Sequence, residues 1–231
     1  EYRDLELTVA ACCRVLDEPA LRALPAGIVL QAYLPDAHPV LDELVEWAAR
    51  RRGDGGAPLK VRLVKGANLA MELVDAELGG WEPAPYGSKD DVDASFKALL
   101  DRAMDAAADG DLVVGVGSHN LFDVAWALEQ RRRRGLERSV GIEMLEGMSP
   151  PQARAVVAES GEVVLYTPVV DEDDATAAIA YLARRLDENS GPENFLRSLF
   201  TIEVGSPGWR RERERFVGAV HRMADVEREP R

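Results

Sequence analysis

A strict alternation constrains this sequence more than any other feature. Short apolar runs occur at 27–35 (GIVLQAYLP), 60–66 (KVRLVKG), 112–120 (LVVGVGSHN), 139–147 (SVGIEMLEG) and 162–169 (EVVLYTPV). Each is followed by a segment with apolar residues at helical spacing, such as Leu41, Leu44, Val45 and Ala48 in VLDELVEWAARRR (40–52). Runs of this type read as strands apolar on both faces. Interleaved with helices through short connections, they argue a parallel sheet built from five βα units.

The flanking segments fit that reading. A helix over 6–16 precedes the first strand. After the second strand comes ANLAMELVDAEL, then a loop rich in Gly and Pro (79–88), then a helix capped by Ser88 and running to about Ala108. The segment 171–189 reads as a long helix, acidic at its start and basic near its end, as the helix dipole favours. Beyond PENFLRSLF (192–200) the chain turns polar, and Ser206 caps a last helix from Pro207 onward. The division expected is an α/β unit over 1–200 and a helical extension or linker over 201–231.

Several functions are disfavoured. The 231 residues carry a net charge of −13, which repels phosphate backbones and argues against nucleic acid as a partner. The one dense basic run, Arg131 to Arg134, reads as the end of a helix. The only cysteines, Cys12 and Cys13, are adjacent and suit a reduced, cytoplasmic protein. His38, His119 and His221 are too scattered to suggest a metal site. No apolar run of about 18 residues is present to span a bilayer. No GxGxxG follows the first strand, so a dinucleotide-binding doubly wound fold has no support. Five units leave two architectures open: an open five-stranded sheet, or the last five units of a (β/α)8 barrel.

Both architectures bind ligands at the carboxyl ends of their strands. Those ends carry Gln31 and Tyr33, Arg62 and Lys65, Ser118, His119 and Asn120, Glu143 and Glu146, and Tyr166 and Thr167. Tyr181, Arg184 and Arg185 share one face of the 171–189 helix. Each has an ordinary reading: a lysine at a strand end is usually solvated, His119 could cap the next helix with Asn120, and paired arginines usually face water. Five consecutive strands with polar or cationic ends change the weighing. The set is rich in cations and donors, with apolar and aromatic neighbours, which suits an anionic cofactor and a small carboxylate. With no serine–histidine–acid arrangement and no metal cluster, redox chemistry on a bound cofactor is attractive. The competing reading is a class I aldolase with Lys65 as the Schiff-base amine.

RLVKGA, SHN, IEMLEGM (142–148), YTPV and YLARRLDEN (181–189) occur in an order that resembles the FAD-dependent proline dehydrogenase domain, in particular that of bifunctional bacterial proline-catabolic enzymes of the PutA type. The likeness spans roughly residues 1–200. It implies a distorted (β/α)8 TIM barrel that holds FAD at the carboxyl ends of its strands. It also implies oxidation of L-proline to 1-pyrroline-5-carboxylate, with electrons passed to a quinone. By the same resemblance Gln31, Arg62, Lys65, Gly66, His119, Asn120 and Glu143 would contact FAD, with Arg62 catalytic near the flavin N5 edge. Arg184 and Arg185 would grip the proline carboxylate, and Leu63, Ala67, Leu145, Tyr166 and Tyr181 would line the pocket. The resemblance further implies a peripheral contact with the inner face of the membrane, a homo-oligomer or a fusion to an aldehyde dehydrogenase domain.

The sequence departs from the family pattern at Asn68, where many members carry tyrosine, and at Glu143, where many carry glutamine. It opens at Glu1 inside a helical pattern; by the resemblance a family lysine on an early strand, and an aspartate placed about three residues before EYRDLEL, would lie upstream. The expectation is an N-terminally truncated copy lacking the first three strands, with an open barrel edge and exposed apolar surface. A non-catalytic barrel fragment is the remaining alternative.

Overall fold

A computed structural model of the chain describes residues 4–66, 69–167 and 202–230, together with 169–171, 176, 178–180, 182–183 and 195. Helix α1 (Leu5–Leu16) and a 3-10 turn (Pro19–Leu21) lead into β1 (Ala26–Gln31) and α2 (Ala37–Gly53). Strand β2 (Leu59–Val64) is followed by two helices, α3 (Leu69–Gly79) and α4 (Lys89–Ala108). Then come β3 (Leu112–Gly117), α5 (Leu121–Arg134), β4 (Val140–Leu145), α6 (Pro150–Ser160), β5 (Val164–Tyr166) and α7 (Pro207–Arg222).

All pairings are parallel, and the spatial order β1-β2-β3-β4-β5 is the order in sequence. A doubly wound sheet reverses its order part-way and binds its ligand at the reversal. Here every crossover steps to the next neighbour, which is the winding of a barrel wall. The choice left open by the sequence therefore falls to the (β/α)8 type.

The two faces of the sheet differ, and that difference places the site. Leu30, Leu59, Val61, Leu63, Leu112, Val114, Val116, Ile142 and Met144 point toward the helices and are buried. With Leu41, Leu44, Leu99 and Leu100 they form one core. Each such side chain contributes about 1.5–3 kcal/mol by leaving water. The alternate positions form the opposite face: Val29 and Gln31, Lys60 and Arg62, Gly115 and Gly117, Glu143 and Leu145. The strands are thus uniformly apolar toward the helices and mixed on the other face. That other face carries glycines and charges among Val64, Val113 and Leu145, and the half-exposed Val29 lies on it at the β1 edge.

Local chemistry explains the helix ends. Ser88 Oγ accepts from Asp91 N–H at 3.1 Å, Asn120 Oδ1 from Phe122 N–H at 2.9 Å, and Ser206 Oγ from Trp209 N–H at 3.2 Å. Gly135, at φ +68°, ends α5 just after the Arg131–Arg134 run. Arg131 is buried there, donating to the carbonyls of Val140 and Ser160. Buried Arg51 gathers the carbonyls of Leu16, Leu21, Leu24 and Ala57, which ties the turn after α1 to α2. Helix α7 lies against α4 and α5, and Arg222 pairs with Asp91 at 2.9 Å. The expected 171–189 helix lies largely outside the described residues. Among the described residues no helix is long and apolar enough to cross a membrane.

Candidate active site at the carboxyl ends of the strands

The side chains expected at the site fall into two groups with different surroundings. The first crosses the face turned away from the helices. Glu143 of β4 reaches over β3 to β2, where its Oε1 stands 2.6 Å from Lys60 Nζ and its Oε2 2.9 Å from Arg62 Nε. Glu143 is buried and Arg62 nearly so, with side-chain exposures of 1% and 17%. The Arg62–Glu143 approach is a charge contact rather than an aligned hydrogen bond, because neither atom satisfies the angular requirement. The Arg62 guanidinium lies 3.8 Å from the centroid of the Tyr166 ring, a cation–π stack that bridges β2 to β5. Leu145 and Tyr166 are register partners at the end of β4 and β5. Leu145 also borders a cavity of about 320 Å³ lined by Ala153, Val157, Val163 and Leu165.

The second group surrounds Lys65. Its Nζ stands 2.5 Å from Asp93 Oδ1 and 2.6 Å from Asp123 Oδ2. Lys89 pairs with Asp93 at 2.5 Å and Lys97 with Asp123 at 2.8 Å. Phe96 and Phe216 lie against the ammonium groups of Lys65 and Lys97. Burial alone pulls the Lys65 pKa down, but Asp123 and Asp93 outweigh it and hold the ammonium above its ordinary value. Such an amine stays protonated and is a poor nucleophile, so the geometry opposes the Schiff-base reading. Burial pulls the Lys97 pKa below its ordinary value despite Asp123.

His119 does not cap α5; Asn120 does that alone. His119 Nε2 instead accepts from the Leu145 N–H at 2.9 Å. That bond places the proton of the neutral ring on Nδ1, a tautomer assigned from the hydrogen bond. Burial holds the His119 pKa below its ordinary value, so the ring stays neutral. Its Nδ1 is buried and meets no partner among the described residues, and the same holds for Gln31 Oε1. Two buried polar atoms without partners at the carboxyl end are what a polar ligand would satisfy.

Other expected residues sit differently. Leu63 is fully buried in the core between sheet and helices, on the opposite face from Arg62, because side chains alternate along β2. It therefore does not line a pocket on the Arg62 face. Gly66, at φ +115°, packs edge-on to Tyr33, leaving no room for a Cβ. Ala67, Asn68, Tyr181, Arg184 and Arg185 lie outside the described residues. Lys60, Asp93, Lys97 and Asp123 were not singled out from the sequence. The one signal for them was charge at inward positions of otherwise apolar elements, as in VDASFKALL.

The proline dehydrogenase family profile matches residues 1–198. A comparison with curated proteins gave no match. Among solved structures, proline utilization A (PutA) from Corynebacterium freiburgense superposes on the whole chain with a TM-score of 0.87 and 44% identity. PutA from Bdellovibrio bacteriovorus, in a form inactivated by N-propargylglycine, covers 94% of the chain with a TM-score of 0.81 and 28% identity. PutA from Bradyrhizobium japonicum, at 24% identity and a TM-score of 0.79, shares the fold. The chain spans 22% of the first of these proteins and 21% of the second. The barrel winding, the carboxyl-end cluster around Arg62 and the profile match agree that this chain belongs to the proline dehydrogenase family.

Proposed function

We propose that this chain is the part of a proline dehydrogenase that holds FAD and oxidises L-proline to 1-pyrroline-5-carboxylate. The observation that carries the reading is the pair of buried, partnerless atoms, His119 Nδ1 and Gln31 Oε1, at the same end of the sheet as Arg62. The family implies a flavin cofactor. The donor set fits it: a neutral His119 N–H, the Gln31 amide and the Arg62 cation match the carbonyl and imide edges of an isoalloxazine ring. A bound flavin supplies the hydride acceptor, which no side chain can provide.

The chain's own residues bind, orient and keep the site dry. Arg62, held over the Tyr166 ring, would present fixed positive charge to a flavin that becomes more negative when reduced. His119 donates through Nδ1 while Leu145 N–H fixes its ring from behind. Gln31, Lys65, Gly66 and Asn120 complete the expected cofactor set, and Glu143, also expected there, meets Lys60 and Arg62. Lys65 acts through the electrostatics of its ion pairs, and Gly66 and Asn120 shape the backbone. Leu145 and Tyr166 would form apolar walls for the proline ring. The family resemblance adds Ala67 and Tyr181 to the pocket and assigns the carboxylate to Arg184 and Arg185, a residue type suited to such a group. N-propargylglycine, the inactivator of the Bdellovibrio protein, shares with proline a secondary amine next to a carboxylate, which supports this substrate class. A quinone as electron acceptor, a peripheral membrane contact, a fusion to an aldehyde dehydrogenase domain and self-association follow from the same reading. So does the division into a barrel over 1–200 and an extension over 201–231.

The test is L-proline-dependent reduction of a soluble quinone by the FAD-loaded protein, with Arg62→Met alongside. Turnover in the parent and at least about a hundredfold less in the variant is expected, as for removal of one charge-stabilising group. A borohydride-trapped adduct at Lys65 with a carbonyl substrate would overturn the reading in favour of an aldolase.

A further inference from the structure

Gly115 of β3 and Gly141 of β4 are register partners on the face that carries Arg62. They are not equivalent. A Cβ at Gly141 would meet nothing within 4 Å, whereas a Cβ at Gly115 would collide with the Glu143 carboxylate. Gly117, two residues on, would crowd Val64 and approach Arg62 Nε. Strand β3 thus has a slot where side chains are missing, and the Glu143 carboxylate lies in it. Through that slot one buried carboxylate meets two cations on β2, Lys60 and Arg62, spaced i and i+2 on one face. Arg62 is held by Glu143 on one side and by the Tyr166 ring on the other. Strands β2, β3, β4 and β5 all contribute to placing a single guanidinium.

We infer that Glu143 is a positioning residue: through the Gly115 slot it sets where Arg62 stands and how much of its positive charge reaches the ligand. This deepens the reading given under Proposed function and rests on it, because that reading makes Arg62 the cation beside the flavin. Glu143 itself needs no contact with the ligand, since both of its oxygens face cations on β2. Two cations to one carboxylate leave the cluster with a net positive charge, suited to an acceptor that becomes anionic. A glutamine at this position would keep the contact and drop the compensation, leaving Arg62 a stronger local field.

The test has one arm without flavin and one with it, both on the purified chain. In the first, the Arg62 Nε–H proton resonance is assigned by its loss in Arg62→Lys, and its ring-current shift from Tyr166 is read. The shift should persist in Glu143→Gln and Gly141→Ala, and collapse in Glu143→Ala and Gly115→Ala. If Glu143→Ala fails to fold, Glu143→Met takes its place, since it fills the same volume without a carboxylate. An unchanged Arg62 shift in Gly115→Ala and in the folded Glu143 truncation overturns the inference. In the second arm, the flavin midpoint potential should move to more positive values in Glu143→Gln. FAD affinity should fall by about tenfold or more in Glu143→Ala, the scale on which lost supporting partners act. An unchanged potential in Glu143→Gln overturns the charge part of the inference. Absence of any FAD binding by the parent chain would defeat the flavin reading, and the resonance arm would still decide whether Glu143 places Arg62.

Discussion

Lys97 and Asp123 face each other at 2.8 Å with both side chains only 1% exposed, and Lys65 takes the second Asp123 oxygen at 2.6 Å. Three ammonium groups, those of Lys65, Lys89 and Lys97, share two carboxylates, those of Asp93 and Asp123. The cluster is unbalanced by one positive charge, and that imbalance sets the sign of what each substitution does.

Asp123→Ala leaves three cations to one carboxylate, two of them inside the protein. A loss of about 3–5 kcal/mol is expected, the range for stranding a buried charge. Lys97→Met instead leaves two cations matched to two carboxylates and fills the space with an apolar chain, so a change under about 2 kcal/mol is expected. Urea denaturation of the two variants checks the order. A larger loss for Lys97→Met would mean the cluster is not cation-rich in the way described.

His38 gives a pH signature. Its Nε2 meets Ser95 Oγ at 3.0 Å in a buried site, and burial, with Arg228 nearby and only partly offset by Asp42, pushes its pKa down to about 4. The folded state therefore resists protonation that the unfolded chain accepts. The stabilisation is complete above about pH 6.5 and is lost as pH falls from there to about 4, in total roughly 3 kcal/mol. The stability difference between the parent and His38→Gln should shrink across that interval. A difference independent of pH would show that His38 is not held neutral.

Gly66→Ala should destabilise by about 1–3 kcal/mol, since φ +115° strains any L side chain and the added Cβ would run into the Tyr33 ring. Thermal unfolding reads it directly. Gly141→Ala should cost less than half as much, because its Cβ enters open space.

The alternation of runs made the βα order legible, and the described elements fall close to where the pattern put them, including the Ser88 and Ser206 caps. That Gln31, Arg62, Lys65, His119 and Glu143 lie toward the carboxyl ends of the strands was legible too, because the βα order fixes strand direction. Some of the rest was written locally and passed over. Leu63 belongs with Leu59 and Val61 by simple alternation along β2, which separates it from Arg62. What the sequence could not show was pairing across distance. Asp123 reads locally as an acidic residue in the first turn of α5, where the helix dipole accounts for it, and Asp93 as a charge one turn into α4, at i, i+4 spacing from Lys89. Only the packing of those two helix starts beside the end of β2 turns them into partners of Lys65. The Gly115 slot is likewise invisible until β4 lies next to β3 and Glu143 reaches through.

Whether Arg62 belongs to a flavin site is decided by the affinity of the purified chain for FAD, followed by quenching of its tryptophan fluorescence, in the parent and in Arg62→Met. Saturable binding by the parent is expected, weakened by about tenfold or more in the variant, which loses a charge-assisted partner. Saturable binding of equal strength in both would contradict it, because Arg62 would then lie outside the cofactor site.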